Sequence, residues 1–470
     1  MSMTRRELLV GSMAFGAAFA GVGGAGASVP AVGTPARPRK PRLRIGVLAD
    51  THLDGCAPAV QKLERALTAF RRGRVDGVLI CGDLADNGVV PQLEELAQTW
   101  ESVFPGSKGL DGEHVERLFH CGDHDNGGYA QKYKGVLEKY SWTEAERDAN
   151  TFSTSPKSTW ERIFGESWSP IVHKRVKGYD FILSHYTNRG WKCAEGLDDF
   201  LKGFKPDPAK PFFYSQHRVL RNTVCGPGVW GQDDGTVGKL LSAYPNCCAF
   251  CGHSHQTAFR EDSIWQGAFT AVQVPSLKYV GQEPGHVNRT SGHEAEQGMF
   301  LEVYDDRMIL HRLDFANHKA LGPSWTIPLV GGESPFVHET RRRAAKAPEF
   351  PVGSRLEAKI EEVAGGGVRS LSLAFPVVSG LVGGVRAYDY EVCVHALCFG
   401  GDVVREVRRY FSPKCTFAPC AEPEMMEVSF PLTGFKKWNE LKSRSYGGIH
   451  VEVRPREIFG GQGAPISADV

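Results

Sequence analysis

The stretch RLFHCGDHDNGG, residues 117–128, carries an apolar segment into Asp123, His124 and Asp125 between glycines. A polar turn can read this way, but so can an active site, and the rest of the chain decides between them. Four other apolar runs stop in the same manner. RIGVLADTH (44–52) ends in Asp50 and His52, and GVLICGDLADNG (77–88) in Asp83 and Asp86. PFFYSQH (211–217) ends in His217, and CCAFCGHSH (247–255) in His253 and His255. In an α/β sheet, ligands bind outside the carboxyl ends of the strands, so five such ends can converge on one site.

The segments between these runs have helical character. APAVQKLERALTAFRRG (57–73) places Val60, Leu63, Leu67 and Phe70 on one helical face. The alternation of short apolar runs with such segments, from Leu43 to about residue 330, predicts an α/β domain whose sheets are covered by helices. Residues 126–170 are polar and aromatic without strong strand signals, and read as an insertion or cap near the face where the ligands emerge.

Imidazole and carboxylate are donors that Mn, Fe and Zn accept, and one carboxylate can bridge two ions. Two metals roughly 3.5–4 Å apart can hold an attacking hydroxide and the substrate oxygens together. The donor set therefore calls for two divalent transition metal ions.

The ordered set D-x-H, G-D-x-x-D-x-G, G-x-H-D, a lone His after an apolar strand, then G-H-x-H, resembles the calcineurin-like metallophosphoesterase superfamily over about residues 43–260. The resemblance implies a four-layer α/β/β/α sandwich with a dinuclear centre that hydrolyses phosphate esters. By position it implies Asp50, His52 and His255 on the first metal, with Asp83 bridging. Asp123, His217 and His253 would hold the second. His124 would be the catalytic histidine at the leaving oxygen, and Asp86 would orient it through a hydrogen bond. His185, in YDFILSHYT, also follows an apolar strand and competes with His217. The family order favours His217, since it places the ligand after the second of two strands. Asp125 reads as a hydrogen-bond acceptor, and His286 and His293 as loop residues.

Two departures from the family pattern stand out. The family usually has Asn where this chain has Asp123, and the added charge should bind the second metal more tightly while making it a weaker Lewis acid. An Asp123→Asn variant is expected to be tolerated with altered metal preference. GDLAD also lacks the Tyr that supplies the coloured iron ligand of purple acid phosphatases, so that subgroup is not expected.

The leading expectation is an exported metal-dependent phosphoesterase in which activated water attacks phosphorus in line, on a monoester or a diester. Arg189, Lys192, Arg218 and Arg221 are candidates for substrate selection. The alternative is a non-catalytic metal- or partner-binding protein on the same fold.

The remaining features set the context of that domain. A net charge of +1 over 470 residues provides no basic excess for a nucleic-acid surface. Residues 1–27, with Thr4-Arg5-Arg6 before a Gly/Ala-rich apolar run and Ala25-Gly26-Ala27, resemble a twin-arginine export signal, the alternative being an uncleaved membrane anchor. That signal implies a periplasmic or extracellular location with no transmembrane span after its removal. Residues 28–41 and 336–350 read as linkers flanking a domain at 42–335, and 351–470 as a β-sandwich. Of the twelve cysteines, Cys81, Cys121 and Cys251 end apolar runs and suit core packing, as does CCAFC at 247–251. Cys415 and Cys420 are the better candidates for a disulfide.

Overall fold

The structure, a computed structural model, describes residues 40–187, 194–282, 285–288, 294–329, 342, 345–362, 369–378, 387–398, 403–413, 424–432 and 446–470. Residues 1–39, Arg189, Lys192, His293, Cys415 and Cys420 lie outside the described residues.

The amino-terminal half opens with β1 (Leu43–Leu48), α1 (Ala57–Arg72), β2 (Gly77–Cys81), α2 (Val90–Val103) and β3 (Glu116–His120). β3 leads into α3 (Asp123–Asn126), and the segment read as an insertion folds into short helices: α4 (Tyr129–Lys132), α5 (Gly135–Tyr140), α6 (Glu144–Ala149) and α7 (Pro156–Phe164). Then come β4 (Ile171–Val176), β5 (Tyr179–Ser184), α8 (Leu197–Gly203), β6 (Phe212–Ser215), α9 (Thr236–Leu241), β7 (Cys247–Cys251), β8 (Ile264–Gln266) and β9 (Thr270–Gln273). Four more strands follow: β10 (Gln297–Val303), β11 (Arg307–Asp314), β12 (Lys319–Ala320) and β13 (Trp325–Pro328).

These strands form two sheets. One has the order β12-β11-β10-β1-β2-β3 with β13 on β11, and the other β4-β5-β6-β7-β9-β8. Strict alternation of side chains explains how they stack. Leu43, Ile45 and Val47 of β1, Leu79 of β2 and Leu118 of β3 face Phe181, Leu183, Phe213, Cys248 and Phe250 of the second sheet. The alternate residues face outwards. Val78, Ile80 and Phe119 pack under Leu63, Leu67 and Phe70 of α1 and Leu93 and Trp100 of α2. Phe212, Tyr214 and Ala249 pack under Leu201 of α8 and Leu241 of α9. The result is the expected helix–sheet–sheet–helix sandwich. Each fully buried Leu or Phe contributes roughly 1.5–3 kcal/mol. Gly46 is glycine for a packing reason, because a Cβ there would lie 2.3 Å from the Phe70 ring.

The carboxyl-terminal region is all β. One sheet is β14 (Glu357–Glu362), β15 (Arg369–Pro376) and β18 (Met425–Pro431). The other is β16 (Asp389–Cys398) flanked by β17 (Val403–Phe411) and β19 (Tyr446–Arg456), with β20 (Ile466–Asp469) on its edge. Leu371, Phe375 and Val428 of the first sheet share a core with Tyr390, Val392 and Val451 of the second. His286 joins this module to the α/β half. Its ring stacks on Phe411 at 3.6 Å and its Nε2 lies 2.8 Å from Asp389 Oδ2, a more specific role than the loop position expected of it.

Candidate metal centre

β1, β2 and β3 are parallel neighbours, as are β5, β6, β7 and β9, so their carboxyl ends share one edge of the sandwich. The chain turns sharply off these ends. Asp50, His52, Asp83, His253 and His255 all have positive φ, between 42° and 70°. This region is sparsely populated by non-glycine residues, at about 1–3 kcal/mol each, and surrounding structure must hold them there. It does so partly through the main chain: Asp50 N–H donates to Gly82 O, His52 N–H to Asp83 O and Leu53 N–H to Leu84 O. Gly122 lets the end of β3 close onto this loop, since a Cβ there would lie 2.0 Å from Asp83 Oδ1.

Two groups of buried donors result. Asp50, His52, Asp83 and His255 form one, and Asp83, Asp123, His217 and His253 the other, with Asp83 in both. In the first, His52 Nε2 lies 3.2 Å from His255 Nε2 and 3.5 Å from Asp83 Oδ2, and His255 Nε2 is 3.2 Å from Asp50 Oδ1. In the second, His217 Nε2 is 3.0 Å from Asp83 Oδ2 and 3.1 Å from Asp123 Oδ1. His253 Nδ1 is 3.0 Å from Asp123 Oδ1.

The far sides of three of the four rings show what these nitrogens are for. His217 Nδ1 lies 2.8 Å from the Cys81 carbonyl, His255 Nδ1 3.1 Å from the Tyr279 carbonyl, and His52 Nδ1 3.2 Å from Asp86 Oδ1. The two carbonyls call for an N–H at Nδ1 of His217 and His255, which turns the Nε2 lone pair of each neutral ring into the site. Lone pairs 3.2 Å apart, among three buried carboxylates, are reconciled by a cation. The electrostatics agree: burial works against a charged His217, yet Asp83, Asp123 and Asp50 push it well above its ordinary range. The donor set thus fits divalent cation binding, with Asp83 common to both groups.

His124 sits beside both groups. Its N–H donates to Asp83 Oδ1 at 2.9 Å, its ring meets His52 edge-on at 4.5 Å, and it stacks on Tyr129 at 4.0 Å. Its Nδ1 lies 2.5 Å from the main-chain carbonyl of Asp86. Asp86 thus meets His124 through its backbone, not through its carboxylate. The Asp86 carboxylate instead faces His52, because the turn after β2 points that side chain towards the first group. Burial opposes a charge on His124, but Asp83, the Asp86 carbonyl, Asp123 and the Asp86 carboxylate raise its affinity for a proton.

The competing histidine lies elsewhere. His185 is buried against Trp160 and Trp168, and its Nδ1 accepts the Cys121 N–H at 3.1 Å. Burial pushes it well below its ordinary range, so it is a neutral ring bracing the end of β3. Arg218 reaches the second group, with Nη2 3.6 Å from Asp123 Oδ2. Arg221 is exposed, and its main-chain N–H donates to Asp233. Cys81, Cys121 and Cys251 are buried, and burial raises all three thiols.

Three site residues escaped the sequence reading. Tyr129 donates its hydroxyl to Asp123 Oδ2 at 3.0 Å, Tyr279 lies over His255 at 4.1 Å, and Trp230 stacks on His253 at 4.4 Å. Tyr129 had a signal, since Tyr133 follows at helical spacing and stacks on it. Tyr279 and Trp230 sit in loops with no periodicity to mark them.

Asp125 is the strut of the site. Its carboxylate accepts the N–H groups of Leu84 (3.1 Å), Ala85 (2.7 Å) and Gly122 (2.7 Å), tying the loop after β2 to that after β3. Burial, with Asp83 nearby, pushes its carboxyl up to about 7 despite these donors. Asp125→Asn turns an amide N–H against at least one backbone N–H. A loss of about 1–3 kcal/mol is expected, read as a lower urea midpoint at unchanged slope.

Residues 43–257 match the family model of the calcineurin-like phosphoesterases, which supports placing this part of the chain in that superfamily. The fold and the donor set together define a metallophosphoesterase-type α/β core with a candidate divalent metal site. A search of curated proteins finds no match. Among solved structures, a dimetal phosphatase from Danio rerio is 11% identical, with 62% of this chain and 100% of that chain covered and a TM-score of 0.36. GAP50, the anchor in the inner membrane complex of Plasmodium, is 14% identical over 61% of this chain and 88% of that one, with a TM-score of 0.34. A conserved protein from Streptococcus pneumoniae, described as a predicted phosphoesterase, is 13% identical over 61% and 97%, with a TM-score of 0.26.

Proposed function

We propose that this protein is an exported dinuclear-metal phosphoesterase that hydrolyses small phosphate monoesters or diesters. The observation that carries the reading is the pair of buried donor groups sharing Asp83, with His124 beside both. Asp50, His52, Asp83 and His255 would hold one divalent cation, and Asp83, Asp123, His217 and His253 the other, as Mn, Fe or Zn. Bound there, the cations supply Lewis acidity towards the phosphoryl oxygens and lower the pKa of water. The chain's own groups do the rest. The Asp86 carbonyl takes the Nδ1–H of His124, leaving Nε2 to hold the proton that the departing oxygen needs. Tyr279 and Trp230 cover the outer faces of His255 and His253 and limit the water around these rings.

Export is supported by Thr4-Arg5-Arg6 and the apolar run that follows it. Among the described residues, no helix is long and apolar enough to cross a membrane.

The reading is tested with purified protein supplied with Mn²⁺, Fe²⁺ or Zn²⁺ and assayed on p-nitrophenyl phosphate and bis-p-nitrophenyl phosphate. Hydrolysis of at least one ester, removed by chelation and restored by metal, is expected. Metal-loaded protein that cleaves neither ester would favour a binding protein on the same fold.

A further inference from the structure

Asp123 stands where the family resemblance calls for a neutral amide, and its surroundings answer the added charge. One oxygen, Oδ1, faces His217 and His253 at 3.1 and 3.0 Å. The other, Oδ2, is turned away from them. It accepts the Tyr129 hydroxyl at 3.0 Å and lies 3.6 Å from Arg218 Nη2. Arg218 is itself buried, at 7% exposure, an unusual place for a guanidinium unless an anion lies beside it. Its position is built rather than incidental. The guanidinium lies over the Tyr186 ring at 5.6 Å. Tyr186 in turn hangs from the same motif as Asp123: its N–H donates to Cys121 O, and its carbonyl accepts from Asn126 Nδ2 at 2.8 Å.

We propose that Arg218 is a positioning residue, the fixed counter-charge that makes Asp123 act towards the second metal as a neutral single-oxygen donor. Tyr129 assists by occupying Oδ2. The pair then leaves the dinuclear centre with the net charge that an asparagine would give it. This rests on the dinuclear reading above and adds to it a function for Arg218 in setting metal affinity rather than in binding substrate. It also revises the sequence-based expectation for Asp123, because the carboxylate does not bring an uncompensated charge.

The test is Mn²⁺ titration by calorimetry of the full chain without substrate. Wild type is expected to bind two equivalents. Arg218→Gln uncovers the carboxylate and should tighten the second site by about tenfold or more, since an opposite charge within a few ångströms in a buried site is worth at least about 1.4 kcal/mol. Asp123→Asn leaves the buried guanidinium beside the second cation and should weaken that site by a similar factor. The D123N/R218Q double variant should return to within about threefold of wild type, and R218K, which keeps the charge, should stay near wild type. A second site that is unchanged or weaker in Arg218→Gln overturns the proposal, as does an R218K protein that titrates like R218Q. A higher KM for a phosphate ester with unaltered Mn²⁺ affinity also overturns it, in favour of substrate binding. Wild type that binds fewer than two Mn²⁺ ions instead overturns the dinuclear reading itself.

Discussion

Asp83→Ala is expected to reduce bound metal from two equivalents to one or none and to cut phosphoester hydrolysis by on the order of 10³-fold or more, about 4 kcal/mol of barrier. Three contacts converge on this carboxylate. Oδ2 lies 3.0 Å from His217 Nε2 and 3.5 Å from His52 Nε2, which makes it the donor common to both groups. Oδ1 accepts the His124 N–H and so fixes the start of α3. Without it, each group loses a carboxylate and His124 loses its backbone anchor. Elemental analysis of the dialysed variant, alongside kcat/KM on an aryl phosphate, reads both effects. Retention of two equivalents would show that Asp83 is not shared.

His124→Ala should behave differently. Loss of a general acid lowers kcat by about 10²–10⁴-fold, while metal content stays at two equivalents because both donor groups remain intact. The loss should grow as the leaving group becomes poorer, so an alkyl phosphate suffers more than a p-nitrophenyl ester. An equal loss on both esters would mean that His124 orders the site without protonating the leaving oxygen.

The legible part of this protein was the part dictated by periodicity and strand ends. Residues of β1, β2 and β3 alternate between two cores, and the candidate ligands stand where those strands stop. A pattern of apolar run followed by Asp or His was therefore enough to collect all seven donors at one edge. What stayed hidden depends on direction rather than sequence. Asp86 lies beside His124, yet whether its carbonyl or its carboxylate meets that ring is set by the turn geometry after β2. His185 and His217 both follow apolar strands. They part only in space, where one accepts an N–H from Cys121 among tryptophans and the other faces three carboxylates. The bridging role of His286 was unreadable because its partners, Asp389 and Phe411, lie more than a hundred residues away. Arg218 was legible as a cation near the site, but its pairing with Asp123 was not.

Crystals grown with Mn²⁺ decide, through the anomalous signal of the metal, whether two cations share Asp83. A shared centre requires two peaks flanking the Asp83 carboxylate, one among Asp50, His52 and His255 and the other among Asp123, His217 and His253. A single peak, or one lying among His52, Asp86 and His124 instead, would contradict it.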